Sequence, residues 1–403
     1  MPDPADGDIG RPAPEPRGEH VGLGTIAREW GRIGCIGFGG PPTHITLLRA
    51  LCVDRRRWLS SREFEDGIAA TNLLPGPAST QLAIFCAWRL RGTPGALVGG
   101  FCFIVPGLIL ILFLSALFLA GHPPAAVLGA AAGAGAAVPA VAVHAAGQLL
   151  PASWRRAGPR KAARIRWVVY ACVGAVAAAT VGPYLVLLLL SCGLVESALH
   201  LRTRSRPARP VSGVFVPLAV RAGAVGGLGA LAWVAFKVGA LSYGGGFVII
   251  PLMQHDAVSV FHWMTDAQFV GGVALGQITP GPVVQTVAVV GYAAAGVGGG
   301  LMAAAIAFAP SFVFVIAGGP HFDRLRASSL AQAFLGGAGP AAIGAIAGAA
   351  IPLALALAHL WQVGVLALAA VWLLAARKGV VSALLGAGAL GVVAALLGAP
   401  VGS

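Results

Sequence analysis

The sequence predicts an all-α polytopic membrane protein: about ten transmembrane helices plus two re-entrant helical hairpins, arranged as two inverted-topology repeats. Two observations carry that prediction. First, the 403 residues are 57% hydrophobic and 10% charged, whereas a soluble domain carries about a quarter charged residues. Apolar stretches of about 20 residues, the length that crosses a bilayer, recur along nearly the whole chain. Second, one motif occurs twice at a constant offset of 205 positions. The first copy reads Phe38-Gly39-Gly40-Pro41, then Trp58, Phe64, Gly67 and Pro75-Gly76-Pro77. The second reads Tyr243-Gly244-Gly245-Gly246, then Trp263, Phe269, Gly272 and Pro280-Gly281-Pro282, with Lys237 standing where the first copy has Arg32.

Taken in order, residues 1–20 are rich in Pro, Gly and charge and read as a disordered tail without a cleavable signal peptide. The first repeat occupies 21–205 and the second, inverted, 206–403. In the first, a span near 22–50 is broken at 38–42. A hairpin at 66–90 is broken at 75–77, and spans follow near 95–120, 123–150, 167–182 and 184–201. The second repeats the plan with a span at 222–254 broken at 243–246 and a hairpin at 266–292. Its spans lie near 297–318, 328–357, 361–376 and 379–399.

Loop charge sets the orientation. Arg55, Arg56, Arg57 and Arg62 precede the first hairpin, and Arg89 and Arg91 follow it. Both its ends read as cytoplasmic, so the segment enters the membrane and returns. No Lys or Arg occurs from 251 to 299, so the second hairpin reads as external at both ends. The clusters Arg155 to Arg166, Arg202 to Arg209, Arg324 with Arg326, and Arg377 with Lys378 fit cytoplasmic loops. Five spans and one hairpin per half force the second half to enter upside down. Counting each hairpin as a true span instead gives a parallel repeat, at the cost of an Arg-rich loop outside.

The same placement explains the net charge of +13 without nucleic acid. The six cysteines are scattered through the first half without CxxC or CxxH spacing, which argues for packing residues and against a disulfide framework or zinc site. No Walker A, HExxH or GxSxG pattern occurs, so neither ATP drive nor hydrolase chemistry is expected, and no cofactor or metal is implied.

The candidate site lies at the triplets. Pro75 and Pro77 disfavour helix at the residue before each, and Pro77 can start a new one. The amides of Ala78, Ser79 and Thr80 then have no partner within the helix and form the positive end of a half-helix dipole, a ready anion site. Pro280, Gly281 and Pro282, followed by Val283, Val284 and Gln285, offer the same from the opposite face. Side chains of Ser79, Thr80, Gln81 and Gln285 add donors. Lys237, about 15 residues into its span, and Arg32 read as substrate-attracting cations. Gly39, Gly40, Pro41, Gly244, Gly245 and Gly246 permit close backbone approach or gating. His44 and Asp66 are candidates for coupling, and Glu63, Glu65 and Asp66 also read as ordinary helix-start acids. Asp256 and His255 read as solvated loop residues. His144 and Glu196 read as packing or interface residues. Broken helices in paired repeats are the usual pointer to a transporter's binding site, approached by alternating access.

These motifs resemble the CHR family of chromate ion transporters in its long-chain, two-domain form. In the first half the resemblance rests on Arg32-Ile33-Gly34, Phe38-Gly39-Gly40-Pro41 with His44, Trp58-Leu59 with Glu63-Phe64, and Leu74-Pro75-Gly76-Pro77-Ala78. In the second it rests on Phe236-Lys237-Val238-Gly239, Gly244-Gly245-Gly246, Trp263, Phe269, Gly276 to Pro282, and Gly291-Tyr292. It covers most of residues 25–320. Arg32 departs from the Lys expected there, and Asp266-Ala267-Gln268 is poorer in acid than expected. The resemblance implies chromate export across a bacterial inner membrane and chromate resistance, with sulfate as a similar dianion. Residue chemistry alone gives a small oxyanion and no ATP. It leaves open a sulfate or other anion carrier and an uncoupled channel. The surroundings are membrane lipids, and the sequence is compatible with a homodimer.

Overall fold

A computed structural model describes residues 21–72, 74–180, 184–203, 227–242 and 246–401. The expected tail at 1–20, and Tyr243, Gly244 and Gly245, lie outside them. The described residues are mostly helical, without a strand among them. Among the described residues, six helices are long and apolar enough to cross a membrane.

Each half begins with two hairpins. Helix α1 (Leu23–Ile36) ends at Gly37, and α2 (Pro41–Arg49) continues through a π turn, Ala50–Arg55. Gly39 and Gly40 take φ of 96° and 76°, left-handed values that reverse the chain before Pro41 restarts it. The two arms lie side by side: Arg56 pairs with Glu29 at 2.8 Å, and Trp30 stacks on Trp58 with ring centroids 6.4 Å apart. The segment expected as one broken span therefore folds back on itself. In the second half, α8 (Leu228–Leu241) and α9 (Ile250–Gln254), with its π turn His255–Val260, do the same. The physical reason is length: α1 and α8 are 14 residues each, about 21 Å at 1.5 Å per residue, short of a bilayer core of about 30 Å.

The next hairpin pairs α3 (Ser61–Thr71) with the start of α4 (Ala78–Phe118). A capping box starts α3, with the Ser60 hydroxyl on the Glu63 amide and the Glu63 carboxylate on the Ser60 amide. Thr265 and Gln268 repeat it at the head of α10 (Asp266–Ile278). Gly67 packs on Phe85, and Arg89 pairs with Glu63, so both ends of this hairpin lie together, as a re-entrant segment requires. In the second half Gly272 packs on Val289, pairing α10 with the short turn Val283–Gln285 and the start of α11 (Thr286–Gly318).

Helices α4 and α11 each contain a second reversal. Arg91-Gly92 and Ala295-Gly296 leave helical geometry, with φ of 58° and 62° at the glycines. Gly95 then lies against the Ala87 carbonyl, and Gly299 against that of Gly291. Residues eight apart along a straight helix would be about 12 Å apart. The outer arms, 93–118 and 297–318, belong to two of the helices long and apolar enough to cross a membrane.

These equivalent arms pack on each other, Gly100 against Phe312 and Gly300 against Leu112. Position rises along one as it falls along the other, so they run antiparallel, the relation that an inverted repeat produces. The remaining helices are α5 (Ala125–Ala157), α6 (Lys161–Thr180), α7 (Leu185–Thr203), α12 (Phe322–Ala327), α13 (Ser329–Gly348), α14 (Ala350–Leu355), α15 (Leu360–Ala370), extended by a π turn, Val371–Ala375, and α16 (Val380–Leu396). Small residues let them approach closely: Gly129 meets Gly391, Gly133 meets Ala387, and Gly174 meets Ala341.

Candidate functional site

The tips of the hairpins converge across the halves. The Gly76 amide donates to the Ser242 carbonyl at 2.7 Å, and the Gly281 amide donates to the Gly37 carbonyl at 3.0 Å. Positions 76 and 281 are repeat equivalents, as are 37 and 242, so one interaction occurs twice about a pseudo-two-fold. Gly76 and Gly281 take φ of 128° and 105° between their prolines, a conformation that favours glycine. Gly40 lies against Val283, and Gly246, with φ 95°, lies against Val283 and Val284.

From this meeting point two half-helices start in opposite directions. Neither Pro77 nor Pro282 provides a side-chain cap. The amides of Thr80 and Gln81 donate to the Pro77 carbonyl at 2.9 and 3.0 Å, and that of Gln285 to the Pro282 carbonyl at 2.9 Å. The expectation that the Thr80 and Gln285 amides are unpartnered is corrected, because each first turn tightens onto its proline carbonyl. Ala78, Ser79, Val283 and Val284 supply the amides nearest the two helix starts.

Ser79, Thr80, Gln81 and Gln285 are all buried. His44, also buried, joins both breaks. Its Nε2 lies 2.9 Å from the Gly37 carbonyl and its Nδ1 3.1 Å from the Ser79 hydroxyl. A carbonyl only accepts, so Nε2 carries the proton and Nδ1 accepts from Ser79. Gln81 Nε2 donates to the Pro75 carbonyl at 2.7 Å, and Gln285 Nε2 to the Ile104 carbonyl at 2.8 Å. Both carboxamides therefore commit a donor to the scaffold. Thr80 Oγ1, Gln81 Oε1, Gln285 Oε1, Ser242 Oγ, Gln277 Nε2 and Ser311 Oγ are buried without a hydrogen-bond partner, against the rule that such atoms are paired. Ser311 is a residue that sequence reasoning missed. It stands beside Gly76, and its only signal is a hydroxyl next to Pro310 in an apolar span.

The expected cations do not gather here. Arg32 is exposed, off the buried face of α1 formed by Ile26, Trp30, Ile33 and Gly34. Lys237 is paired with Asp256 at 2.5 Å, and its ammonium stands 5.9 Å from the Trp233 ring centroid. Asp256 is only 6% exposed, which corrects its reading as a solvated residue: the π turn of the returning arm aims it at Lys237. Asp66 is half-buried on α3, inside the first hairpin. Glu196 accepts two bonds of 2.8 Å from Arg166 and one of 3.0 Å from the Tyr170 hydroxyl.

A cavity of about 1130 Å³ reaches Asn72, Gly76 and Ala78 from the ends of α5, α6 and α7. Helices broken at matching positions of two halves, one of them at the end of such a cavity, are the usual pointer to a transporter's binding site. The model of the chromate transporter family matches residues 24–196 and 229–392.

The chain belongs to the chromate transporter family.

Among relatives, the chromate transport protein of Cupriavidus metallidurans is 32% identical over 80% of each chain. That of Pseudomonas aeruginosa is 32% identical over 80% of this chain and 79% of its own. A probable chromate transport protein of Synechococcus elongatus is 27% identical over 87% of this chain and 90% of its own. No solved structure matches. The two family matches stop and resume around 197–228, between the halves, and each contains one triplet.

Proposed function

We propose that this protein is a secondary carrier of a bacterial inner membrane that exports chromate, or a related tetrahedral oxyanion, by alternating access and so confers chromate resistance. The observation that carries this reading is that each Pro-Gly-Pro half-helix start is bonded to the first hairpin of the other half, by Gly76–Ser242 and Gly281–Gly37. Two positive dipole ends brought together by these cross-bonds would suit a small dianion. The amides of Ala78, Ser79, Val283 and Val284 hold its oxygens, and the Thr80 and Ser311 hydroxyls add donors. Rocking one half against the other loosens one cross-bond while keeping its twin. His44, bonded to both breaks, is the candidate through which a proton gradient acts. The chromate transport proteins of Cupriavidus metallidurans and Pseudomonas aeruginosa support chromate as the cargo, and sulfate shares its shape and charge.

Chromate uptake into inside-out vesicles, with and without an imposed proton gradient and with sulfate as competitor, tests this. Gradient-driven uptake blocked by sulfate is expected. Uptake that never exceeds equilibration would instead make the protein a channel.

A further inference from the structure

The contacts at the hairpin tips obey the pseudo-two-fold, but the charge at the two ends of the helices does not. The cavity that reaches Asn72, Gly76 and Ala78 is walled by Arg156, Arg160, Arg166 and Arg202, against a single carboxylate, Glu196. Arg166 is held by Glu196 through two bonds of 2.8 Å. The other three have no carboxylate partner among the described residues. A second pocket, near Phe118, Pro123 and His359, measures about 160 Å³ and has no Lys, Arg, Asp or Glu in its wall. It lies at the opposite ends of the helices: α5 runs from Pro124, beside this pocket, to Arg156, beside the large one. The turn between α5 and α6 contains Arg160 and is flanked by Arg155 and Arg156 at the end of α5 and Lys161 at the start of α6, whereas the connection from α14 to α15 carries only His359.

We propose that Arg156, Arg160 and Arg202 form an anion-collecting antechamber, a waiting site for small oxyanion dianions on the cytoplasmic side of the Pro75-Gly76-Pro77 break. The proposal rests on the transport reading above and adds direction to it. A confined cavity lined by one sign of charge raises the local concentration of the opposite ion by tenfold or more at low ionic strength. The near-symmetric site itself prefers no direction, so the arginines collected at one end of the helices set which side loads at low concentration. The Arg166–Glu196–Tyr170 cluster is neutral overall and fixes the wall between α6 and α7 without adding charge.

Arginines here also satisfy the orientation rule, and kinetics separate the two roles. Initial rates of chromate uptake are measured in inside-out and right-side-out vesicles. The variants are the triple Arg156→Gln/Arg160→Gln/Arg202→Gln and the matching triple to Lys. In inside-out vesicles the glutamine triple is expected to raise KM about tenfold at low ionic strength with maximal rate unchanged. That shift should shrink as salt screens the charges. The lysine triple should keep wild-type KM, and right-side-out vesicles should show no change. Wild-type transport with KM unmoved by the glutamine triple, or moved equally from both faces, overturns the antechamber and leaves the carrier standing. Wild-type protein that takes up neither chromate nor sulfate overturns both.

Discussion

Gly76 shows how much a single residue decides. Its φ of 128° costs an L side chain about 1–3 kcal/mol, and a Cβ there would overlap the Gln81 carboxamide. Gly76→Ala should therefore misplace the Gly76–Ser242 bond and abolish vesicle uptake while the protein still inserts. Full uptake would show that the triplet does not shape the site. The triplets themselves were legible, because Pro-Gly-Pro within an apolar run has few other readings. The role of Lys237 was not. Sequence places a cation at depth but does not reveal that the chain returns through a π turn to bring Asp256 against it. That pair bridges two arms of one hairpin, as Glu29–Arg56 does in the other half, and is best read as a clamp. Breaking a buried pair on one side costs about 3 kcal/mol. Lys237→Gln alone should thus lower abundance, and the double change Lys237→Met/Asp256→Leu should restore both abundance and uptake. A double variant that is abundant but inert would return the ammonium to the substrate's path.

At the scale of elements, the decisive features are reversals. Glu63, Glu65 and Asp66 read in the sequence as helix-start acids, and the structure starts α3 there with a capping box between Ser60 and Glu63. The fold-back at Gly39-Gly40 was read as a break within a span, since local sequence does not say whether a chain leaving a glycine continues or returns. The Glu29–Arg56 contact settles that, and it joins residues 27 positions apart. The inverted relation makes a labelling prediction. Single cysteines at the exposed positions Thr93 and Val297 should react with an impermeant maleimide from opposite sides of the membrane. Reaction of both from one side would rule out inversion. The mouth of the first hairpin makes a pH prediction. Partial burial works to raise the Glu63 pKa, but the Ser60 amide, the Arg89 guanidinium and the Ser60 hydroxyl outweigh it and hold the carboxyl below its usual value. A depressed carboxylate pKa stabilises the fold above the unfolded value, about 4.3, and that contribution is lost as pH falls through the folded value. Glu63→Gln keeps a residue able to cap and should cost about 0.5 kcal/mol at neutral pH. The difference from wild type should fade below about pH 4. A difference that persists there would assign the cost to packing.

At the scale of the molecule, the two halves legible as repeats are not two bodies. Helix α5 of the first half packs against α15 and α16 of the second, and α13 of the second packs against α6 and α7 of the first. The sequence shows the repeat because equivalent residues recur at a fixed offset. It hides the exchange because glycines and alanines look alike whichever partner they meet. The contacts are intimate: Gly133 has the Ala387 carbonyl and Gly391 backbone within van der Waals reach, and Gly174 has that of Ala341. A half made alone would leave α5 or α13 with a small-residue face against lipid, where such faces drive association through close packing. Residues 1–205 or 206–403 expressed separately should therefore be degraded. The same halves expressed together should copurify and restore vesicle uptake, because the exchanged helices, the two cross-bonds at the tips and the arginine-walled approach form only when both are present. Either half accumulating alone as a stable, monodisperse protein would mean that the exchange is dispensable, and the repeats would then be domains in space as well as in sequence.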